Sequence, residues 1–247
     1  MHNVVFLGTK SIGFDCLEYL INDSQKLEVN ILGVLTKENK LDNAEKSISK
    51  LCELNDISLW KSLDDLLNEE QEIDYLISVQ YHKILDPVHI AKAKKLSINL
   101  HMAPLPEYRG CNQFSFAIID GKTTFGTTIH LIDENIDSGD ILFEKRFPIP
   151  PDCYVGELYK MTLHHSRTLF EESMPKILSN DIQPVKQQSL IKERGVSIHY
   201  RKEIEKLKQL DLDWSAEKIK RYIRATYFPP FSPPYFMVNE KKFYVKK

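Results

Sequence analysis

The sequence predicts an α/β protein: a mainly parallel, doubly wound sheet followed by a small C-terminal α+β appendage. Three observations lead there. Short runs of nearly continuous apolar residues alternate with stretches of helical periodicity over the first hundred residues, the pattern of strands covered on both faces by crossover helices. After Gly110 the rhythm changes to a helix, two strands and one long helix. Beyond Asn180 the pattern loosens into one amphipathic helix and two short strand candidates, with too few apolar residues for much core of their own.

Residues 3–7 read as a buried strand and 11–22 as a helix with Ser11 near its start. A second strand spans 29–36, and a helix over 43–55 follows, its Ile48, Leu51 and Leu54 recurring at helical spacing. Residues 75–79 and 96–100 are further strands, separated by a helical stretch over 87–95. Next come a helix over 112–120 and strands over 125–132 and 141–148, joined by an acidic loop. The long helix over 155–178 carries Val155, Leu158, Met161, Leu169 and Phe170 as its core stripe. Pro175 is expected to kink or end it. A helix over 215–224, the proline-rich 228–234 and two strands around an Asn239-Glu240 turn complete the chain. The sequence therefore divides into a main domain, 1–186, and a C-terminal helix and hairpin region, 187–247.

Composition excludes several classes. With 247 residues, 42% hydrophobic and 28% charged, the chain buries roughly 70% of its unfolded surface and needs neither disulfides nor a structural metal. Cys16, Cys52, Cys111 and Cys153 lie far apart, without the spacing of zinc or redox motifs, and read as free thiols in a reducing compartment. The apolar runs are far shorter than the ~20 residues of a membrane helix, and no signal-peptide pattern opens the chain; the expected location is the cytoplasm, away from membranes. The net charge of −2 hides an asymmetry: residues 192–247 carry 14 Lys and Arg against 7 Asp and Glu. A basic tail either attracts phosphates or presents a solvated face.

The turn after the first strand, Phe6 to Gly13, has two glycines and misses the dinucleotide fingerprint. The stretch Ser97-Ile-Asn-Leu-His-Met-Ala-Pro-Leu-Pro-Glu-Tyr-Arg-Gly110 is more informative. Asn99 and His101, two apart in a strand, share a face at its carboxyl end, where open α/β sheets bind ligands. Pro104 and Pro106 fix the loop that follows, and Arg109 and Gly110 precede a helix, a setting suited to an anion. In the acidic loop, Asp133, Asn135, Asp137 and Glu144 partly imitate a calcium site, but Ser138 stands where that loop needs glycine. No metal is expected. His164-His165 point about 100° apart on a helix, which does not suit shared ligation.

Together these pieces resemble the folate-dependent formyltransferases. The likeness rests on Asn99-x-His101, Leu105-Pro-x-Tyr-Arg-Gly110, Gly126-x-Thr-x-His130 and Ile136-Asp-Ser-Gly-Asp140, and runs from Val4 to about Leu178. Met102-Ala-Pro-Leu-Pro and Cys111-Asn-Gln-Phe-Ser-Phe are similar to the sugar N-formyltransferases, which act on nucleotide-linked amino sugars. The Ser-Leu-Leu-Pro of the methionyl-tRNA formyltransferases is Ala103-Pro-Leu-Pro106 here, which argues against a tRNA substrate.

The resemblance implies a Rossmann-like formyltransferase fold and transfer of a formyl group from 10-formyltetrahydrofolate to an amine, through a tetrahedral intermediate bearing an oxyanion and an ammonium. Asn99, His101 and Asp137 are then the catalytic trio. Asn99 offers an amide donor to the oxyanion. His101 is general base for the amine or, protonated, an oxyanion donor, and Asp137 either holds the imidazolium or relays a proton. Gln80, Tyr81, Ile84 and Leu85, with Asp133 and Asp137, are implied to form the folate pocket, while His82 takes an exposed or structural role. Met102, Pro104, Arg109, Asn112, Gln113 and Tyr227 are the expected contacts of the nucleotide-diphosphate amino sugar. Tyr227, Phe228 and Phe231 would stack a base or pack a dimer interface, and sugar-modifying members are commonly homodimers built through the C-terminal region. The implied role is formylation of a dTDP-4-amino-4,6-dideoxyglucose type sugar for O-antigen or other surface polysaccharide. Methionyl-tRNA formylation, hydrolytic deformylation of folate and a non-catalytic nucleotide-binding module remain alternatives. The last predicts that Asn99, His101 and Asp137 do not converge.

Overall fold

In the computed structural model, which describes residues 1–37 and 46–245, strand β1 (His2–Gly8) feeds helix α1 (Lys10–Asn22). The short α2 (Ser24–Leu27) leads to β2 (Val29–Leu35), and α3 (Ile48–Leu54) to β3 (Leu59–Trp60). Then come α4 (Leu63–Asn68), β4 (Ile73–Val79), α5 (Pro87–Ile90) and β5 (Ala93–His101). After β6 (Arg109–Gly110) and α6 (Gln113–Ile119), β7 (Thr124–Leu131) and β8 (Ile141–Pro148) form a hairpin, and α7 (Val155–Leu178) follows. The C-terminal part holds α8 (Gln187–Arg194), β9 (Ile198–His199), α9 (Glu203–Leu207), β10 (Gln209–Leu210), α10 (Ala216–Thr226), β11 (Tyr235–Val238) and β12 (Lys241–Tyr244).

The main sheet has the order β3-β2-β1-β4-β5-β7-β8. Its first five strands are parallel, and β7 runs antiparallel to its neighbours β5 and β8. Both faces are covered, so the strands read as continuous apolar runs. Val4 and Phe6 face one core with α1 and α7, while Val5 and Leu7 face another with Leu66, Leu85 and Trp60. The parallel, doubly covered sheet agrees with the sequence expectation, and the Asn239-Glu240 turn joins β11 to β12 with both residues at positive φ. Among the described residues no helix is long and apolar enough to cross a membrane, and no cysteine is in a disulfide.

Several expected elements differ. The helix expected over 87–95 stops at Ile90, and Ala93 begins β5. Partners outweigh local propensity there: Ala93 pairs with Ile73, Lys92 Nζ donates to the carbonyls of Leu67 and Glu69, and Lys95 pairs with Asp74. Of the helix expected over 43–55, residues 43–45 lie outside the described residues, and the rest starts after Ser47, whose hydroxyl accepts from the Lys50 N–H. Pro175 does not end α7, which runs on to Leu178. The carbonyl that a backbone N–H at 175 would have met, that of Glu171, accepts instead from the Tyr19 hydroxyl at 3.2 Å.

Candidate active site

Alternation along β5 puts Ile98 and Leu100 in the larger core and Asn99 and His101 on the opposite face. In the antiparallel pair with β7, Asn99 stands opposite His130 and His101 opposite Thr128, so these side chains share one face. Asn99 Nδ2 lies 3.1 Å from His130 Nε2. His130 Nδ1 lies 2.7 Å from the Leu131 carbonyl. A carbonyl only accepts, so Nδ1 carries a hydrogen and leaves Nε2 to receive the Asn99 amide.

His101 is fixed in the same way. Its Nε2 donates to the Tyr108 carbonyl at 2.7 Å, which leaves Nδ1 facing Asp137 Oδ2 at 3.5 Å. The other carboxylate oxygen of Asp137 is 3.6 Å from His130 Nε2, and Oδ2 also accepts from the Gly110 N–H at 2.8 Å. Burial alone would raise the Asp137 carboxyl pKa; the charge of a protonated His101 and the Gly110 N–H outweigh it and hold Asp137 well below the usual carboxylate range. Asn99, His101 and Asp137 therefore converge, as expected, and a fourth side chain, His130, joins them.

The loops that carry these groups are tightly tied. Gly110 adopts φ +82°, and a Cβ there would come within 2.3 Å of the His199 carbonyl oxygen; β6 and β9 can lie this close only without a side chain. In the acidic loop, Asp133 Oδ1 accepts from the Asn135 N–H at 3.1 Å and the Ser138 hydroxyl at 2.5 Å, so part of its acidity serves the turn itself. Glu107, Arg146, Glu144 and Arg194 form a chain of ion pairs at 2.8–3.0 Å that clamps the Arg109 loop to β8 and α8.

Gln187 sits at the centre of these loops. Its Oε1 accepts from Arg109 Nε and Nη2 at 3.1 and 2.7 Å, and its Nε2 donates to the carbonyls of Asp137 and Gly139, both at 2.8 Å.

The remaining expected residues are distributed as follows. Gln80 takes φ +54°, its carbonyl accepts from the Thr9 hydroxyl, and its side chain accepts from Lys10 Nζ at 3.2 Å. From Tyr81 to Leu85 no backbone N–H or carbonyl is hydrogen-bonded within the described residues. Ile84 is 73% exposed, whereas Leu85 is buried in the core beside Val5 and Leu7. Gln113 is buried at the start of α6. His82 is exposed; partial burial and the charges of Lys37, Lys83 and Arg201 lower its pKa.

Four expectations are corrected. Met102 is 1% exposed, packed in the main core, and Pro104 is likewise buried, so neither offers its side chain to a substrate. Asn112 spends its amide on the carbonyls of Tyr200 and Arg201, tying the C-terminal stretch to α6. Tyr227 stacks edge-on with Tyr154, beyond the end of β8 where Pro148 pairs with Thr124. Thr124 and His130 are six residues apart on β7, roughly 20 Å at strand rise, so Tyr227 stands at the opposite end of the hairpin from the cluster.

Two site residues escaped the sequence reading as such. His130 was visible only as part of a motif, although its spacing from Thr128 fits a common strand face. Gln187 lies where the periodic pattern has broken down, and nothing in the sequence singled it out.

A protein-family model described as formyl transferase matches residues 2–174. The chain belongs to the formyl transferase family. Among its relatives, a GDP-perosamine N-formyltransferase of Brucella melitensis is 31% identical over 172 residues, covering 70% of this chain and 64% of the relative. The chain thus spans just under two thirds of that relative's length. A methionyl-tRNA formyltransferase of Lactobacillus delbrueckii subsp. bulgaricus is 30% identical over 195 residues, covering 74% of this chain and 60% of the relative. In fold, this chain is similar to the N-formyltransferase of Helicobacter canadensis, solved with folinic acid and dTDP-3-aminofucose. The TM-score is 0.79 at 24% identity, over 98% of this chain and 86% of that one.

Proposed function

We propose that this protein transfers a formyl group from 10-formyltetrahydrofolate to the 4-amino group of a nucleotide-linked amino-deoxy sugar, a dTDP sugar, in the cytoplasm, for O-antigen or a similar surface polysaccharide. The carrying observation is the convergence of Asn99, His101, His130 and Asp137 at the shared face of β5 and β7. A non-catalytic nucleotide-binding module has no use for this cluster.

The residues fit the formyl donor: the unpaired backbone of residues 81–85 offers donors and acceptors to a pterin, and exposed Ile84 an apolar contact. The donor supplies an activated formyl carbon. Asn99, its amide orientation set by His130, has a further N–H for the oxygen that gains negative charge. His101 Nδ1 would take the proton shed by the amine. Asp137, ionised and 3.5 Å away, would hold the resulting imidazolium.

The charges of Lys37, Lys83 and Arg201, gathered around His82 at the carboxyl ends of the parallel strands, support a phosphate-bearing acceptor. The sugar reading also draws on the Brucella relative that acts on GDP-perosamine. Phe243, Val238 and Met237, exposed on the β11–β12 hairpin, suit a homodimer contact.

The test is mass spectrometry of purified protein with 10-formyltetrahydrofolate and, separately, dTDP-4-amino-4,6-dideoxyglucose, GDP-perosamine and charged initiator tRNA. A formyl mass gain on the dTDP sugar is expected. A gain on GDP-perosamine alone changes the nucleotide, and a gain on tRNA alone overturns the acceptor class.

A further inference from the structure

Arg109 is a partly buried cation without a carboxylate partner. Buried guanidinium groups are normally paired with acids. Yet among the described residues no carboxylate oxygen comes within ion-pair distance of Arg109, although the charges of Asp133 and Asp137 reach it and partly offset the effect of burial. One neutral oxygen, Gln187 Oε1, receives both Nε and Nη2. The remaining guanidinium N–H groups have no acceptor among the described residues.

The Gln187 amide can have only one orientation. A guanidinium only donates and the Asp137 and Gly139 carbonyls only accept, so the oxygen must face Arg109 and the nitrogen must face the acidic loop. With 2% of its surface exposed, Gln187 is fully used. A glutamate here would neutralise Arg109 and abandon two buried carbonyls; a lysine would repel the guanidinium. An amide of this length meets both demands.

We infer that Gln187 is a positioning residue that presents Arg109, as an unneutralised cation, to a phosphate of the nucleotide-linked acceptor. The inference rests on the function proposed above and deepens it. A neutral support leaves the full charge available in the ground state, which suits a permanent anion, and the free edge of the guanidinium suits phosphate oxygens. Through Asp137, which takes φ +48°, the same amide links the anion-binding cation to the backbone of the proposed catalytic carboxylate.

The test combines Arg109→Ala, Gln187→Leu and the double variant, with calorimetric titration of dTDP and GDP and steady-state kinetics for the acceptor. Arg109→Ala is expected to weaken nucleoside diphosphate binding, and to raise the acceptor KM, by about tenfold or more. Gln187→Leu should weaken both by roughly threefold or more, and the double variant should bind within about twofold of Arg109→Ala, because Gln187 acts through Arg109. Effects that multiply, or a fall in kcat with Kd and KM unchanged in Gln187→Leu, overturn the inference. If circular dichroism shows Gln187→Leu unfolded, Gln187→Glu decides: binding as tight as in the native protein overturns the inference, because the new carboxylate would neutralise Arg109. A native protein that formylates a sugar nucleotide while Arg109→Ala binds dTDP and GDP unchanged leaves the function standing and the inference fallen. A native protein that binds neither and formylates no sugar brings down both.

Discussion

Asn99 and His130 face each other as register partners across β5 and β7, with the amide nitrogen 3.1 Å from the ring nitrogen. Because the Leu131 carbonyl fixes the tautomer of His130, the ring in turn fixes which end of the Asn99 amide donates. His130→Ala frees that amide to rotate. Steady-state kinetics of formyl transfer should show kcat reduced roughly tenfold to a hundredfold, approaching the loss in Asn99→Ala. A kcat within twofold of the native value would show that Asn99 needs no such support.

Asp137 makes stability depend on pH. Folding lowers its pKa, so the native state favours the carboxylate, and the stabilisation is fully present above the unfolded value of about 4 and drains away as the pH falls below it. Urea unfolding between pH 7 and pH 3 should show a steeper loss for the native protein than for Asp137→Asn. Parallel curves would mean that the contacts with His101 and Gly110 contribute little.

Gly110→Ala places a methyl group 2.3 Å from the His199 carbonyl oxygen on a backbone with φ +82°. The strand pair β6–β9 must open, with a loss of about 2 kcal/mol or more. Because the Gly110 N–H also holds Asp137, formyl transfer should fall together with the unfolding midpoint.

Tyr227→Ala separates a substrate contact from a packing role for this aromatic. Its ring lies 6.5 Å from that of Tyr154, at the far end of the β7–β8 hairpin. Thermal unfolding should report a loss of about 1 kcal/mol, and the acceptor KM should stay within about twofold. A KM raised tenfold would return Tyr227 to the substrate site.

Much of the fold was legible because buried parallel strands have a strong signature: β1, β2 and β4 are mostly apolar, and α1 and α7 carry clear stripes. Of the site, Asn99 and His101 were readable from strand alternation, and Asp137 through the family resemblance. What was hidden depends on partners distant in sequence. The Ala93–Lys95 extension of β5 looks helical until Ile73 and Asp74 are beside it. Met102 and Asn112 carry the right chemistry for a ligand, but one is claimed by the core and the other by the carbonyls of Tyr200 and Arg201. Gln187 offered no signal because its importance comes wholly from Arg109, Asp137 and Gly139, which lie between 48 and 78 residues away.

The tie between Ser197 and Glu107 spans 90 residues, and with the β6–β9 pair it holds the Arg109 loop from behind. During synthesis, then, β1, β2, β4 and β5 can assemble long before that brace exists. Elongation at about 5–20 residues per second separates the two events by several seconds. A nascent chain halted ahead of Gln187 would carry a formed sheet and an unbraced site. Formyl transfer by ribosome-tethered chains of increasing length would therefore date the closing of the loop, not the folding of the sheet.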